Sequence, residues 1–217
     1  MTTNKNDFIE LEFTGKITGT SEVFDTNILA DAKLAGFKTE DMKPLILSIG
    51  QKMLPAGFDE DLENKEAEKK YELNLKPEKA FGKRNPQLIR MIPTKLFHEQ
   101  KITPERGMQL NLDGQIVKVL SSDRGRTLTD FNNPLAGKNI TYNYKINRIV
   151  TEEKEKINAL QEFFFRQTFK FKKEAKKVTF SIPKEAEEFI KMFAPKFKEI
   201  LDLEIDTKIE AKKSKVK

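Results

Sequence analysis

The sequence predicts an α+β protein built mainly from antiparallel strands. Three observations predict it. Apolar residues alternate at period two in several short segments, an Asp113-Gly114 turn signal joins two of these, and the apolar spacing becomes helical after residue 151. With 217 residues the chain has room for one or two domains.

In residues 8–15, Ile9, Leu11 and Phe13 alternate with Glu10 and Glu12, the period of a half-buried strand. A turn at Gly19-Thr20-Ser21 leads to a short strand, Val23-Phe24-Asp25-Thr26. Residues 27–43 read as a loop or short helix. Residues 45–49 are strand-like and stop at Gly50. Residues 57–64 read as a short helix whose acidic first turn complements the helix dipole, with Phe58 and Leu62 on one face. Residues 70–75 form a strand with Tyr71, Leu73 and Leu75 on one side.

Residues 83–130 change character. Pro86 and Pro93 bracket a strand over 87–91, Thr94 to Phe97 suit one helical turn, and Met108, Leu110 and Leu112 alternate up to the Asp113-Gly114 hairpin. Return strands over 115–120 and 126–129 complete a small strand-rich unit. Residues 139–150 then give the cleanest alternation, with Ile140, Tyr142, Tyr144 and Ile146 on one face. Beyond residue 151 come a linker or helix start at 152–156, a helix carrying Ile157, Leu160 and Phe164, and strands around Phe169/Phe171 and Val178/Phe180/Ile182. Pro183 suits the first position of a helix bearing Ala186, Phe189, Ile190 and Phe193. Ala194-Pro195 interrupts that helix, Phe197, Ile200 and Leu201 resume it, and Leu203, Ile205 and Ile209 suit a last strand. Residues 211–217 read as a disordered basic tail.

Composition excludes several functions. There is no Cys, so disulfides, zinc–thiolate sites, iron–sulfur clusters and a catalytic thiol are ruled out. The single His, His98, reads as a surface loop residue and excludes a two-His metal motif; no metal and no cofactor are expected. Forty basic against 34 acidic residues give +6, too modest an excess to indicate a nucleic-acid binder by itself. No apolar run is long enough to span a bilayer, and residues 1–6 lack the apolar core of a signal peptide, so a cytoplasmic protein without membrane contact is expected. Gly50 and Gly57 are too isolated for a phosphate loop.

What remains is a set of apolar residues near one acid: Phe13, Phe24-Asp25, Leu54, Phe58, Phe81 and Tyr142. From the residues alone these rings pack as ordinary core, and Asp25 is a turn former after a strand. The order of segments adds a second reading. Phe24-Asp25, Leu47-Ser48-Ile49-Gly50, Leu54-Pro55-Ala56-Gly57-Phe58 and Ala80-Phe81-Gly82 together resemble the FKBP type of peptidyl-prolyl isomerase. The segment 130–142, with Asn133-Pro134-Leu135-Ala136-Gly137, is similar to the Asn-His-Pro-Leu-Ala-Gly segment of the SlyD-like branch, which carries an insert-in-flap chaperone domain at the position of residues 83–130. The added C-terminal unit suggests the long archaeal form.

The resemblance implies an antiparallel FKBP-type sheet wrapped on a short helix over 1–86 plus 131–152, an inserted small β-rich domain over 87–130, and a C-terminal α+β domain with a basic tail over 153–217. It implies an isomerase of X-Pro bonds, without cofactor, whose pocket is lined by Asp25, Phe13, Phe24, Leu54, Phe58, Phe81 and Tyr142, with Leu135 close by. Phe13, Phe58 and Phe81 stand where the family usually has Tyr or Trp, and at Phe81 the family's hydroxyl donates to a substrate carbonyl. Pro55 stands where the family usually offers a backbone N–H, which proline lacks. These departures keep open a chaperone whose isomerase activity is weak or lost.

The inserted unit is rich in apolar residues for its size. Leu88, Ile89, Met91, Ile92, Leu96, Phe97 and Met108 form either its own small core or a groove for unfolded segments, and the resemblance points to the groove. Expected partners are unfolded or nascent polypeptides containing proline. The nine Phe of the C-terminal unit suit a folded α+β unit and self-association as a homodimer. Lys170, Lys172, Lys173, Lys176 and Lys177 read as a solvated strand face or as a contact for the ribosome or an acidic partner.

Overall fold

A computed structural model describes residues 2–40, 42–112 and 114–209. Twelve strands, six α-helices and three shorter helical turns follow one another along them, and the chain divides into two compact units. The first comprises Met1–Lys16, Ser21–Leu73 and Tyr142–Lys217; the second comprises Ile17–Thr20 and Asn74–Thr141.

The first unit is organised by β1 (Phe8–Ile17), which pairs antiparallel with both β2 (Val23–Thr26) and β3 (Leu45–Ser48). The sheet runs in the order β2-β1-β9-β4, with β4 at Lys70–Leu75 and β9 at Ile140–Val150. The period-two reading of β1 and β9 holds. Ile9, Leu11, Phe13, Tyr142, Tyr144 and Ile146 are all buried. The open stretch 27–43 contains a helix, α1 (Leu29–Ala35). The acidic helix is α2 (Ala56–Asp61), which buries Phe58 against the sheet's rings.

A second cluster of buried side chains in this unit joins Phe8 of β1 and Val150 of β9 to α4 (Glu153–Phe165) and to a three-stranded sheet, with Ile46 and Met53 packed against it. That sheet is β10 (Lys170–Glu174), β11 (Lys177–Ile182) and β12 (Glu204–Ile209), with β11 in the centre, antiparallel to β10 and parallel to β12. Helices α5 (Glu187–Lys191) and α6 (Ala194–Leu201) form the crossover between the parallel pair, as such a pair requires. Phe165 stacks on Phe197 at 5.8 Å, and Phe180 meets Phe197 edge-on at 5.7 Å. Pro183 stands before, not inside, the helical turn at Lys184–Ala186, because its ψ of 150° keeps it extended. The proposed basic tail, 211–217, lies outside the described residues.

The second unit holds a four-stranded antiparallel sheet in the order β5-β8-β7-β6. Its strands are β5 (Ile89–Pro93), β6 (Gln109–Leu112), β7 (Gln115–Asp123) and β8 (Arg126–Asp130). The strand read over 87–91 starts two residues later. Pro86–Leu88 is a helical turn, in which the Asn85 side chain accepts from the Gln87 N–H. The helical turn after Pro93 is α3 (Thr94–Glu99), and it includes His98, an exposed helix residue and not a loop residue. Asp113 lies outside the described residues, while Gly114 has the positive φ, 81°, that a tight hairpin needs. Among the described residues no helix is long and apolar enough to cross a membrane.

Candidate active site

Four rings from three strands and one helix meet in the first unit. Phe58 stacks on Tyr142 with centroids 4.3 Å apart. Phe13 meets both edge-on at 6.0 Å, and Phe24 meets Tyr142 edge-on at 5.8 Å. Tyr144 tilts against Phe58 at 5.1 Å, and its hydroxyl donates to Asp61 at 2.6 Å. Each such aromatic contact adds about 0.5–1.5 kcal/mol beyond area burial. Phe13, Phe58 and Tyr142 are buried, Phe24 and Leu54 are half-buried, and Asp25 is exposed. The cluster therefore has a buried floor and an accessible rim.

Backbone geometry explains why the rings come together. Gly15 lies directly opposite Asp25 in the β1–β2 register. A Cβ at Gly15 would stand 2.6 Å from the Phe24 ring and 2.8 Å from the Tyr142 ring, closer than side chains tolerate. Both rings thus occupy the space that the missing side chain leaves. The Asn27 side chain ties the return of β2 to β1, accepting from the Phe13 N–H and donating to the Leu11 carbonyl, each at 2.8 Å. The Thr26 hydroxyl donates to the Phe13 carbonyl at 3.0 Å. At the start of α2, the Pro55 carbonyl accepts from the Phe58 and Asp59 N–H groups, at 2.8 and 3.0 Å. The buried Asp59 carboxylate accepts from the Gly50 and Lys52 N–H groups and so fixes the loop leading to Leu54.

Electrostatics mark the same corner. Although Asp25 is exposed by surface area, the protein packed around it desolvates the carboxylate and raises its pKa above 3.8, partly offset by a backbone hydrogen bond from Thr26. The Tyr142 phenol is raised strongly, first by burial and then by the negative charge of Asp25. Tyr144 is raised by burial and by its bond to Asp61.

The remaining residues read from the sequence belong to the second unit. Phe81, half-buried, lies just beyond the helical turn Pro77–Lys79, and Leu135, also half-buried, has its N–H taken by the Asn133 side chain at 2.8 Å. Their two turns are joined, since the Gly137 N–H donates to the Gly82 carbonyl at 2.8 Å. In the second unit Met91, Leu96 and Ile116 are 59%, 50% and 59% exposed, Leu88, Ile89, Ile92 and Met108 are half-buried, and Phe97 is buried as part of the unit's small core. A cleft of about 470 Å³ is lined by Arg90, Ile92, Leu96, Phe97, Gln100, Asn111, Leu112 and Phe131. The Arg90 guanidinium lies 5.2 Å from the Phe131 ring centre.

Gly15, Asn27 and Asp59 were not singled out by sequence reasoning. A glycine inside a strand was the one available signal, for close approach of another group. Nothing in the local pattern distinguishes Asn27 or Asp59 from other turn residues.

A ring floor thus lies beside a desolvated carboxylate on an antiparallel sheet that packs a short helix. Comparison with known proteins specifies the class. The family model for FKBP-type peptidyl-prolyl cis-trans isomerase matches residues 1–98, and one described as "FKBP26, IF domain" matches residues 90–135. The chain is 33% identical over 114 residues to a probable FKBP-type 16 kDa peptidyl-prolyl cis-trans isomerase of Pseudomonas fluorescens, covering 50% of this chain and 74% of that protein. It is 26% identical over 153 residues to a short-type peptidyl-prolyl cis-trans isomerase of Methanocaldococcus jannaschii, covering 70% of this chain and 96% of that protein. Against the SlyD isomerase of Helicobacter pylori it is 26% identical over 141 residues, covering 63% and 69%. The chain belongs to the family of FKBP-type peptidyl-prolyl cis-trans isomerases and is an enzyme of that type.

Proposed function

We propose that the enzyme isomerises X-Pro bonds in unfolded or nascent polypeptides and holds such chains through the sheet of its second unit. The observation that carries the isomerase site is the mutual packing of Phe13, Phe24, Phe58 and Tyr142, with Phe24 and Tyr142 closing over the side-chain-free Gly15, which lies opposite Asp25. Rotation about a peptide bond meets a barrier of about 18–20 kcal/mol because the C–N bond has double-bond character. A twisted prolyl imide has lost that conjugation and is less polar than the planar form. An apolar ring surface accepts the pyrrolidine ring and favours the twisted imide over the planar one, which lowers the barrier without any proton transfer. Asp25 acts as a fixed acceptor and negative charge at the rim, and Leu54 and Phe24 border the entrance. Holding rests on Met91, Leu96 and Ile116, whose exposure leaves apolar surface available to varied chains, with the adaptable Met side chain suited to that task. A cytoplasmic location belongs to the same reading. The exposed Phe189 and Met192 favour a homodimer through the C-terminal segment.

A chaperone with weak isomerase activity is the second reading, favoured by the absence of a hydroxyl at Phe81 and of an N–H at Pro55. A protease-coupled assay on a short Xaa-Pro peptide, run beside suppression of aggregation of an unfolded client, separates the two. The first reading requires acceleration in the peptide assay together with suppression. Suppression alone supports the second.

A further inference from the structure

β10 is an edge strand. It pairs with β11 on one side, and no strand pairs with its other side among the described residues. An unpaired edge presents backbone N–H and C=O groups in the spacing that an added strand needs. Beside this edge, where α4 begins, lies a cleft of about 530 Å³. Ile157, wholly buried, with the half-buried Phe169 and Phe171, supplies its apolar lining. The cleft is held in shape by the buried Gln161, whose Oε1 accepts from the Phe169 N–H at 2.7 Å.

The charges around the cleft are unequal. Lys154, Lys170 and Lys173 line it against a single Glu153. Lys173 and Glu153 satisfy each other at 2.6 Å. Lys154 and Lys170 are exposed and have no ion-pair partner among the described residues. The other lysines of the basic stretch are held by carboxylates: Lys172 by Glu174, Lys176 by Asp202 and Lys177 by Asp206.

We propose that the β10 edge and this cleft bind an extended acidic segment of a partner protein. The segment adds as a fourth strand beside β10. The side chains on its cleft-facing side alternate in kind, apolar ones against Ile157, Phe169 and Phe171 and carboxylates toward Lys154 and Lys170, which line the same cleft. Nothing in this site uses the ring cluster at Gly15 or the sheet of the second unit. A strand edge next to an apolar cleft suits a peptide. RNA would need free cations along a path of phosphates, and most of these lysines are already paired.

The test uses the full chain. A fluorescently labelled peptide of repeating Val-Thr-Glu-Thr, which carries Val and Glu on one face, is titrated at low salt by anisotropy, beside the same peptide with Lys for Glu and a single-stranded RNA oligomer. Amide shifts are followed in ¹H–¹⁵N NMR spectra. The acidic peptide should bind more tightly than the other two and should move the amides of β10. Lys154→Glu with Lys170→Glu should weaken it by about tenfold or more, while Lys154→Gln with Lys170→Gln gives a smaller loss in an intact fold. Equal binding of both peptides, tighter binding of RNA, or shifts confined to other strands would overturn the proposal. So would the absence of any binding, which would leave the β10 lysines as guards against unwanted strand pairing.

Discussion

The ring cluster of the first unit and the four-stranded sheet of the second solve opposite problems with the same kinds of side chain. Around Gly15 three of four rings are buried and locked by mutual contacts at 4.3–6.0 Å. In the second unit Phe97 of α3 with Val117 and Val119 of β7 are buried apolar side chains, two threonines, Thr127 and Thr129, occupy further buried positions, and Met91, Leu96 and Ile116 face solvent. A site for one small ring needs fixed walls, because misplacement of a reacting group by an ångström costs orders of magnitude in rate. A surface for many chains needs adaptable apolar area and gains nothing from fixed walls. On the proposed roles, rigidity is concentrated where the chemistry is specific, and exposure where the ligand is variable.

The sharpest way to break this contrast is Gly15→Ala. The added methyl collides with Phe24 and Tyr142, so kcat/KM for a short proline peptide should fall by about hundredfold, while client holding stays near wild type. Overpacking of this kind also costs about 1–3 kcal/mol of stability, visible in a denaturant titration. An unchanged rate would show that the rings do not form the reacting surface.

The converse change is Met91→Glu with Leu96→Glu and Ile116→Glu. All three side chains are half or more exposed, so the fold should tolerate the change to within about 0.5 kcal/mol per site. Holding of an unfolded client should weaken by about tenfold or more as charge replaces apolar surface. Peptide isomerisation should remain within about twofold of wild type. Loss of both activities together would erase the division of labour between the two regions.

The smallest expected effect concerns Asp25. Its pKa in the fold is raised above the ordinary 3.8 by desolvation, so the folded state favours the protonated form. Its contribution to stability is then greatest below the unfolded pKa. That contribution declines as pH rises through the interval up to the raised folded value and is level above it. Asp25→Asn should remove the decline. At about pH 7 it should raise stability slightly, by less than about 1 kcal/mol because the side chain is exposed and screened, with no gain at about pH 3. The isomerase rate should drop in the same variant. A stability gain without a change in rate would make Asp25 structural only.

Much of the fold was legible because strand burial follows a period of two. β1 and β9 could be read residue by residue, and Tyr142 and Phe13 were identified as inward-facing from alternation alone. The start of β5 was misplaced because a side chain, Asn85, captures the Gln87 N–H and turns the backbone before the strand begins. Pro183 was assigned to a helix on local preference, but its extended ψ follows from its position directly after β11. The basic stretch looked like free positive charge because Glu153, Asp202 and Asp206, which hold Lys173, Lys176 and Lys177, are distant in sequence. The importance of Gly15 is likewise a property of space: it depends on which rings arrive from β2 and β9.

β9 carries a consequence for the order in which the molecule takes shape during synthesis. Phe13 lies near the beginning of the chain, and its ring partner Tyr142 emerges only after the sheet of β5–β8 has been made. The β6–β7 and β7–β8 pairings join neighbouring segments and β5–β8 spans about forty residues, whereas the union of β1 with β9 spans well over a hundred. On the proposed reading, a growing copy of this protein has the whole of its client-binding sheet translated before its ring floor can be completed by Tyr142.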